Sequence, residues 1–337
     1  MKKRLFSLAL LILSILLIFV LASSQSKIKD PREFTPGLQM TLQANTNSYV
    51  VTGYTGTSTE VIIPSIYEEL PVTRIDDRAF FNCSNLTSIY IPNTVNSIGS
   101  LAFDRCSNLT NVYITDIAKW CRIYFEGDSA NPLCTAEKLY LNGFLVTNLF
   151  IPDNVTSISS YAFRGYINLR RITIPDSVTS IGDGAFYNCY GLRSITLPDS
   201  ITSIGDETFA HCRSLKRITI PDNVQIIGDR AFHKCSDLTN ITIGNAVTSI
   251  GEWAFRDCSS LNSITIPNNV QIIGNNAFYC CTSLTSVTFE DPNNWKLHSH
   301  RSSSTRGVSI SSYELADAST AAKKLKSIYS SFCWKHG

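Results

Sequence analysis

The stretch LRRITIPDSVTSIGDGAFYNC, residues 169–189, returns 23 residues later as LRSITLPDSITSIGDETFAHC (192–212) and again as LKRITIPDNVQIIGDRAFHKC (215–235). Aligned on phenylalanine, the chain repeats at Phe80, Phe103, Phe163, Phe186, Phe209, Phe232, Phe255 and Phe278. Every step is 23 residues except the one from Phe103 to Phe163. Self-similarity at a fixed period in this range marks a solenoid of stacked repeats.

Each position of the unit has a physical task. Ile172 and Ile174 stand two apart, so both point to one side of a strand. Pro175 ends the strand because it has no amide to donate, and Asp176 caps the turn. Val178 and Ile181 re-enter the core. Gly182 relieves crowding ahead of a short helical turn, on which Ala185, Phe186, Cys189 and Leu192 pack. One repeat cannot bury its own apolar face, but a stack can. Eleven strands start near residues 61, 89, 112, 139, 149, 172, 195, 218, 241, 264 and 287. With parallel strands about 4.8 Å apart, the sheet should run on the order of 50 Å.

The units ITIPDSVTSIGDGAFYNC (172–189) and VIIPSIYEELPVTRIDDRAF (61–80) resemble the BspA-like leucine-rich-repeat family of bacterial and protist cell-surface proteins. The resemblance covers about residues 38–292. It implies a right-handed α/β solenoid with a parallel sheet on the concave face and short helical turns on the other side. It also implies a secreted or surface-attached interaction protein, adhesive in several relatives, with no catalytic residues to carry over.

The ends frame the solenoid. Residues 1–24 have Lys2, Lys3 and Arg4 before an apolar run from Leu5 to Ala22. That is an export signal. Its length leaves cleavage near Ala22 and retention as a membrane anchor both open. Any membrane contact would run through residues 5–22, and the rest is expected outside the cytoplasm, secreted or tethered to the cell surface. Residues 25–36 read as a linker and 37–60 as a β-hairpin cap over the first rung. The solenoid spans 61–292, interrupted at 115–148 by an irregular insertion, either a degenerate repeat or a functional loop. Within it, Asn142-Gly143 is a two-residue hairpin signal. Residues 293–337 form a C-terminal cap, with Trp295 plugging the core, a Ser-rich link and a short helix. Asp317 is its N-cap, and Leu325, Ile328 and Phe332 lie on one side.

The residues argue against an enzyme. There is no phosphate-binding glycine loop and no nucleophile elbow. Cys333 and His336 are half of a zinc site with no second half nearby in sequence. The aspartates at 153, 176, 199 and 222 alternate with asparagine at 93, 245 and 268, which fits turn capping better than calcium. No cofactor or metal is expected. The net charge of +2, with 17% charged residues, excludes capture of nucleic acid by the whole molecule. Seven of the eleven cysteines, Cys83, Cys106, Cys189, Cys212, Cys235, Cys258 and Cys281, form one column and read as buried thiols filling the core. Cys121 and Cys134 are a candidate disulfide inside the insertion.

What varies between copies carries any specificity. The position after the first strand isoleucine is Tyr90, Tyr113, Tyr140 and Phe150, then threonine from 173 to 288. The preceding positions hold Arg170, Arg171, Arg193, Lys216 and Arg217 on three consecutive rungs, with no acid expected in those columns. These nine residues are the candidate binding face. The expected partner is a protein, such as an extracellular-matrix or host-surface protein, bound through the concave sheet. An anionic glycan and a self-assembling surface protein without a dedicated ligand remain alternatives.

Overall fold

The computed structural model describes residues 34–299, 308–328 and 331–336. The expected export segment and the stretch from Ser302 to Gly307 lie outside them. Eleven strands stack along one side of a β-solenoid, from Glu60–Ile62 to Ser286–Phe289. Their register is set by the isoleucines: Leu149 pairs with Ile172, and Ile172 with Ile195. Alternation explains the burial. Ile172 and Ile174 are buried, whereas Arg171 and Thr173 between and beside them are exposed.

A second parallel ladder runs along another side. It is built from two-residue strands such as Ser180–Ile181, which pairs with Ser157–Ile158. Two residues are too few for a visible alternation, so the repeat text signals only that Ile181 is core. The N-terminal hairpin, Leu38–Gln43 with Ser48–Tyr54, belongs to this second ladder. Its inner strand pairs in parallel with Leu70–Ile75. The first long strand is met instead by Thr35, whose amide donates to Ile62 O at 3.2 Å.

The Ala-Phe segment is not helical. It is a chain of turns in which alternate amides point along the stack. The amides of Gly184, Phe186 and Asn188 donate to the carbonyls of Asp206, Thr208 and Ala210 at 2.8, 3.0 and 2.9 Å. Reaching those partners requires left-handed backbone at two positions per turn, here Gly184 (φ 59°) and Asn188 (φ 60°). Later rungs place Glu207, His211, Lys234 and Trp253 in the same wells. Each such non-glycine residue costs about 1–2 kcal/mol, offset by the inter-rung bonds that the conformation permits. A helix would have aimed those amides at its own carbonyls, leaving the rungs unconnected on this side.

The phenylalanines fill the middle. Phe163, Phe186, Phe209 and Phe232 are fully buried and stack nearly parallel, with centroids 5.6, 5.5 and 5.4 Å apart. The insertion replaces the missing turn. The short helix Ile117–Trp120 is capped by Asp116, and Pro132–Cys134 by Asn131. Ala162 O would ordinarily receive a phenylalanine amide from the preceding rung. Here the Trp120 indole donates to it at 2.8 Å and the Asn131 amide at 2.9 Å. The insertion packs closely: a Cβ on Gly165 would fall 2.7 Å from Cys134 Cα. Cys121 and Cys134, the candidate pair, are both free thiols. Cys121 is buried, whereas Cys134 is exposed with Sγ 3.4 Å from Asp128 O.

At the C-terminal end, Trp295 and Trp334 are buried beside Phe289. The expected single helix is divided. Asp317 caps the helix Ala318–Lys323, but Phe332 begins the strand Phe332–His336. That strand pairs antiparallel with Ile272–Ile273 and covers the last edge of the second ladder. Leu325 is buried, and the Ile328 side chain lies outside the described residues. Among the described residues, no helix is long and apolar enough to cross a membrane.

Candidate binding face

Six of the nine variable residues lie on the outward face of the long-strand ladder, and Arg170, Arg193 and Lys216 immediately precede its strands. Tyr90, Tyr113 and Tyr140 stand on adjacent, directly paired strands. Their rings stack at 4.3 and 4.7 Å, which leaves each half-buried. Burial, the neighbouring Tyr113 and Glu60 push the Tyr90 phenol up to about 12. Burial, Tyr140 and Glu60 raise Tyr113 as well. These hydroxyls therefore stay protonated and able to donate at neutral pH.

Phe150 stands apart from that stack. The ladder is interrupted after Lys138–Leu141, because the chain turns at Asn142-Gly143 and returns antiparallel as Phe144–Leu145. Phe150 then emerges on the next long strand at 73% exposure. No ring contact of Phe150 occurs among the described residues. Leu145, paired with Tyr140, is 43% exposed. The sequence reading omitted Leu145, although the hairpin signal that positions it was legible.

Arg170, Arg171, Arg193, Lys216 and Arg217 are all exposed. None forms an ion pair among the described residues. One expectation needs correction, because the columns do hold acids. Glu60 is in register with Ser88 in the column of Arg171, and Glu137 precedes Lys138 in the column of Arg170. Both lie on earlier rungs, so the three basic rungs stay free of local counter-charge.

A second patterned surface was not anticipated. On the turn side, Arg164 lies 4.0 Å over the Tyr187 ring, and Arg230 and Arg256 sit 4.4 and 4.7 Å from the Trp253 ring. His211 and His233 pack edge-on between them at 5.3 Å. Rings and cations at 23-residue steps beside the left-handed positions were the available signal. This ridge is internally paired: Arg164 reaches Asp128 at 3.1 Å, and Arg230 and Arg256 reach Glu207 and Asp257 at 3.5 Å. It braces the turns and offers little free charge. No group of three or more His, Cys, Asp or Glu able to hold a metal ion occurs among the described residues.

The repeat text, the paired ladders and the phenylalanine stack agree with the BspA type leucine-rich repeat region, which matches in six copies over residues 55–129, 136–247 and 225–322. The chain belongs to that family. Among solved structures it is similar to a leucine-rich repeat protein from Bacteroides ovatus, at 27% identity over 76% of this chain and 70% of that one, with a TM-score of 0.54. A leucine-rich repeat protein from Eubacterium ventriosum shares 24% identity over 76% and 70%, with a TM-score of 0.48. A leucine-rich cell surface protein from Faecalibacterium prausnitzii shares 25% over 77% and 96%, with a TM-score of 0.37. No curated protein matches the chain.

Proposed function

We propose that this chain is a secreted or surface-tethered adhesive repeat protein that holds a protein partner on the concave, long-strand side of its solenoid and performs no catalysis. The observation that supports this most is the basic group: five exposed cations on three adjacent rungs, with no ion pair among the described residues, on a protein of net charge +2. Unpaired charge on a rigid ladder raises association rate and fixes register for an acidic partner. Family membership supports the same reading. The apolar export segment of the sequence supports placement outside the cytoplasm.

Binding of the purified chain to immobilised matrix and cell-surface proteins tests it. The triple change Arg171→Glu, Arg193→Glu, Arg217→Glu should weaken capture about tenfold or more and flatten its salt dependence. Capture that is indifferent to the triple change removes the basic group from the binding face.

A further inference from the structure

The outward row on the long-strand ladder changes character at the interruption. Up to Tyr140 it is a half-buried tyrosine stack. Directly opposed residues of an antiparallel pair share a face, so Leu145, opposite Tyr140, extends the row as an aliphatic step. Phe150 follows as the most exposed aromatic side chain of this sheet. The next strand pairs Asn148 with Arg171 and Phe150 with Thr173, so the first unpaired cation is one strand away from the phenylalanine. Single exposed apolar residues are ordinary. Phe150 and Arg171 stand on hydrogen-bonded strands of one three-stranded sheet, with Arg193 immediately before its third strand. Leu145 on the returning hairpin strand before it and Arg217 on the rung after it extend this into a composite surface.

We infer that this junction is a two-part dock for an extended segment of a partner protein. An apolar side chain seats on Leu145 and Phe150, and carboxylates beyond it lie over Arg171, Arg193 and Arg217. The inference rests on the long-strand side being the binding face and adds the chemistry of the partner. Leu145 and Phe150 offer apolar area without any hydrogen-bonding group, which suits an aliphatic or aromatic side chain and would leave sugar hydroxyls unmatched. Beyond Phe150 the next two rungs carry arginines at 170, 171 and 193, whose planar fork takes a carboxylate by two parallel bonds. From Phe150 to Arg217 is three strand spacings, about 14 Å, which an extended chain covers in about four residues. The partner segment therefore carries its acids within about four residues of its apolar anchor.

Three fluorescein-labelled peptides test this by anisotropy with the full chain. One has Leu-Phe followed by a glutamate run, one has the run alone, and one disperses the two apolar residues within the run. The first should bind about tenfold or more tighter than the others. Phe150→Ser and, separately, Leu145→Ser should bring it down towards the level of the acid-only peptide. The triple arginine change should abolish binding and its salt dependence. Both serine substitutions replace exposed side chains, and circular dichroism checks that each variant is folded. Equal affinity for all three peptides, or indifference to both serine variants, overturns the inference. So does tighter binding of a sulfated glycan that ignores Phe150→Ser. If matrix-protein capture still depends on the arginines while the peptides are not distinguished, the two-part dock fails and the broader reading stands. If nothing is captured, the broader reading fails with it.

Discussion

The Cys235 thiol lies 3.2 Å from the carbonyl oxygen of Phe209, on the rung before it. The same contact recurs from Cys106, Cys189, Cys212, Cys258 and Cys281 to the preceding phenylalanine, at 3.0–3.2 Å. The column is therefore a set of weak donors, each tying one rung to the last. Tyr166 shows the rule by exception. The rung immediately before it has no phenylalanine turn, and its hydroxyl reaches Val146 O instead.

This arrangement makes the column chemically inert. Burial pushes Cys106 and Cys281 up to about 12, and Cys212 and Cys258 well above the ordinary thiol range. Only the thiolate reacts with alkylating reagents. Cys134 faces solvent, although desolvation raises its thiol to about 11 against the opposing Arg164, so iodoacetamide at pH 8 should label it slowly and leave Cys106, Cys212, Cys235 and Cys258 unlabelled until denaturant unfolds the chain. Mass spectrometry of the digests reads the outcome, and labelling of the column in the folded protein would contradict it. Cys235→Ala should lower stability by about 1–3 kcal/mol in denaturant titration, since it removes both the donor and packed volume.

The insertion depends on Asn131, which is 1% exposed. Its amide donates to Tyr161 O and Ala162 O at 2.8 and 2.9 Å, and its Oδ1 accepts from Leu133 N at 2.9 Å. Asn131→Leu leaves the buried Leu133 amide without its acceptor and removes one of two donors from Tyr161 O and from Ala162 O, which keep Arg164 N and the Trp120 indole. It should cost about 3 kcal/mol, visible as a lowered denaturation midpoint. A loss below ~1 kcal/mol would show that the insertion is not a structural bridge between the two halves of the stack.

His211 makes stability depend on acid. Burial, followed by His233, Lys234, Arg213 and Arg164, lowers it to about 4. Burial also lowers His233, against the opposing hydrogen bond to Asp257. The unfolded chain takes up a proton near pH 6.5 while the folded chain refuses it, so stability falls as pH drops from about 6.5 towards 4. His211→Asn suits the left-handed site and removes this contribution. Its stability, measured by denaturant unfolding at pH 7 and pH 5, should fall less than that of the parent over the same interval. Equal losses would place the acid sensitivity elsewhere.

Some levels of this structure were open to reading from residues alone. The period of 23, the inward Ile172 and Ile174, the buried Phe186 and Cys189, and the exposed Arg171 all follow from recurrence and alternation. Where copies agree, a stacking constraint acts on every rung. Where they differ between charged and small polar residues, as at 171, 194 and 217, the side chain points to solvent. The turn chemistry was legible only in part. Asn188 and Lys234 share a backbone conformation, but nothing in their side chains announces one that both adopt under pressure from neighbouring rungs.

Recurrence was enough to specify the solenoid, its core and its family, because each constraint repeats many times and local chemistry carries it. Three matters depended on contacts between distant residues. The second ladder exists because two-residue strands meet across 23 residues of chain. The interruption is bridged because Trp120 and Asn131 reach a carbonyl about 40 and 30 residues away. The basic rungs keep their free charge because the acids of the same columns, Glu60 and Glu137, fall on other rungs. Periodicity states which residues face the same way. Which of them meet depends on the closure of the chain in space.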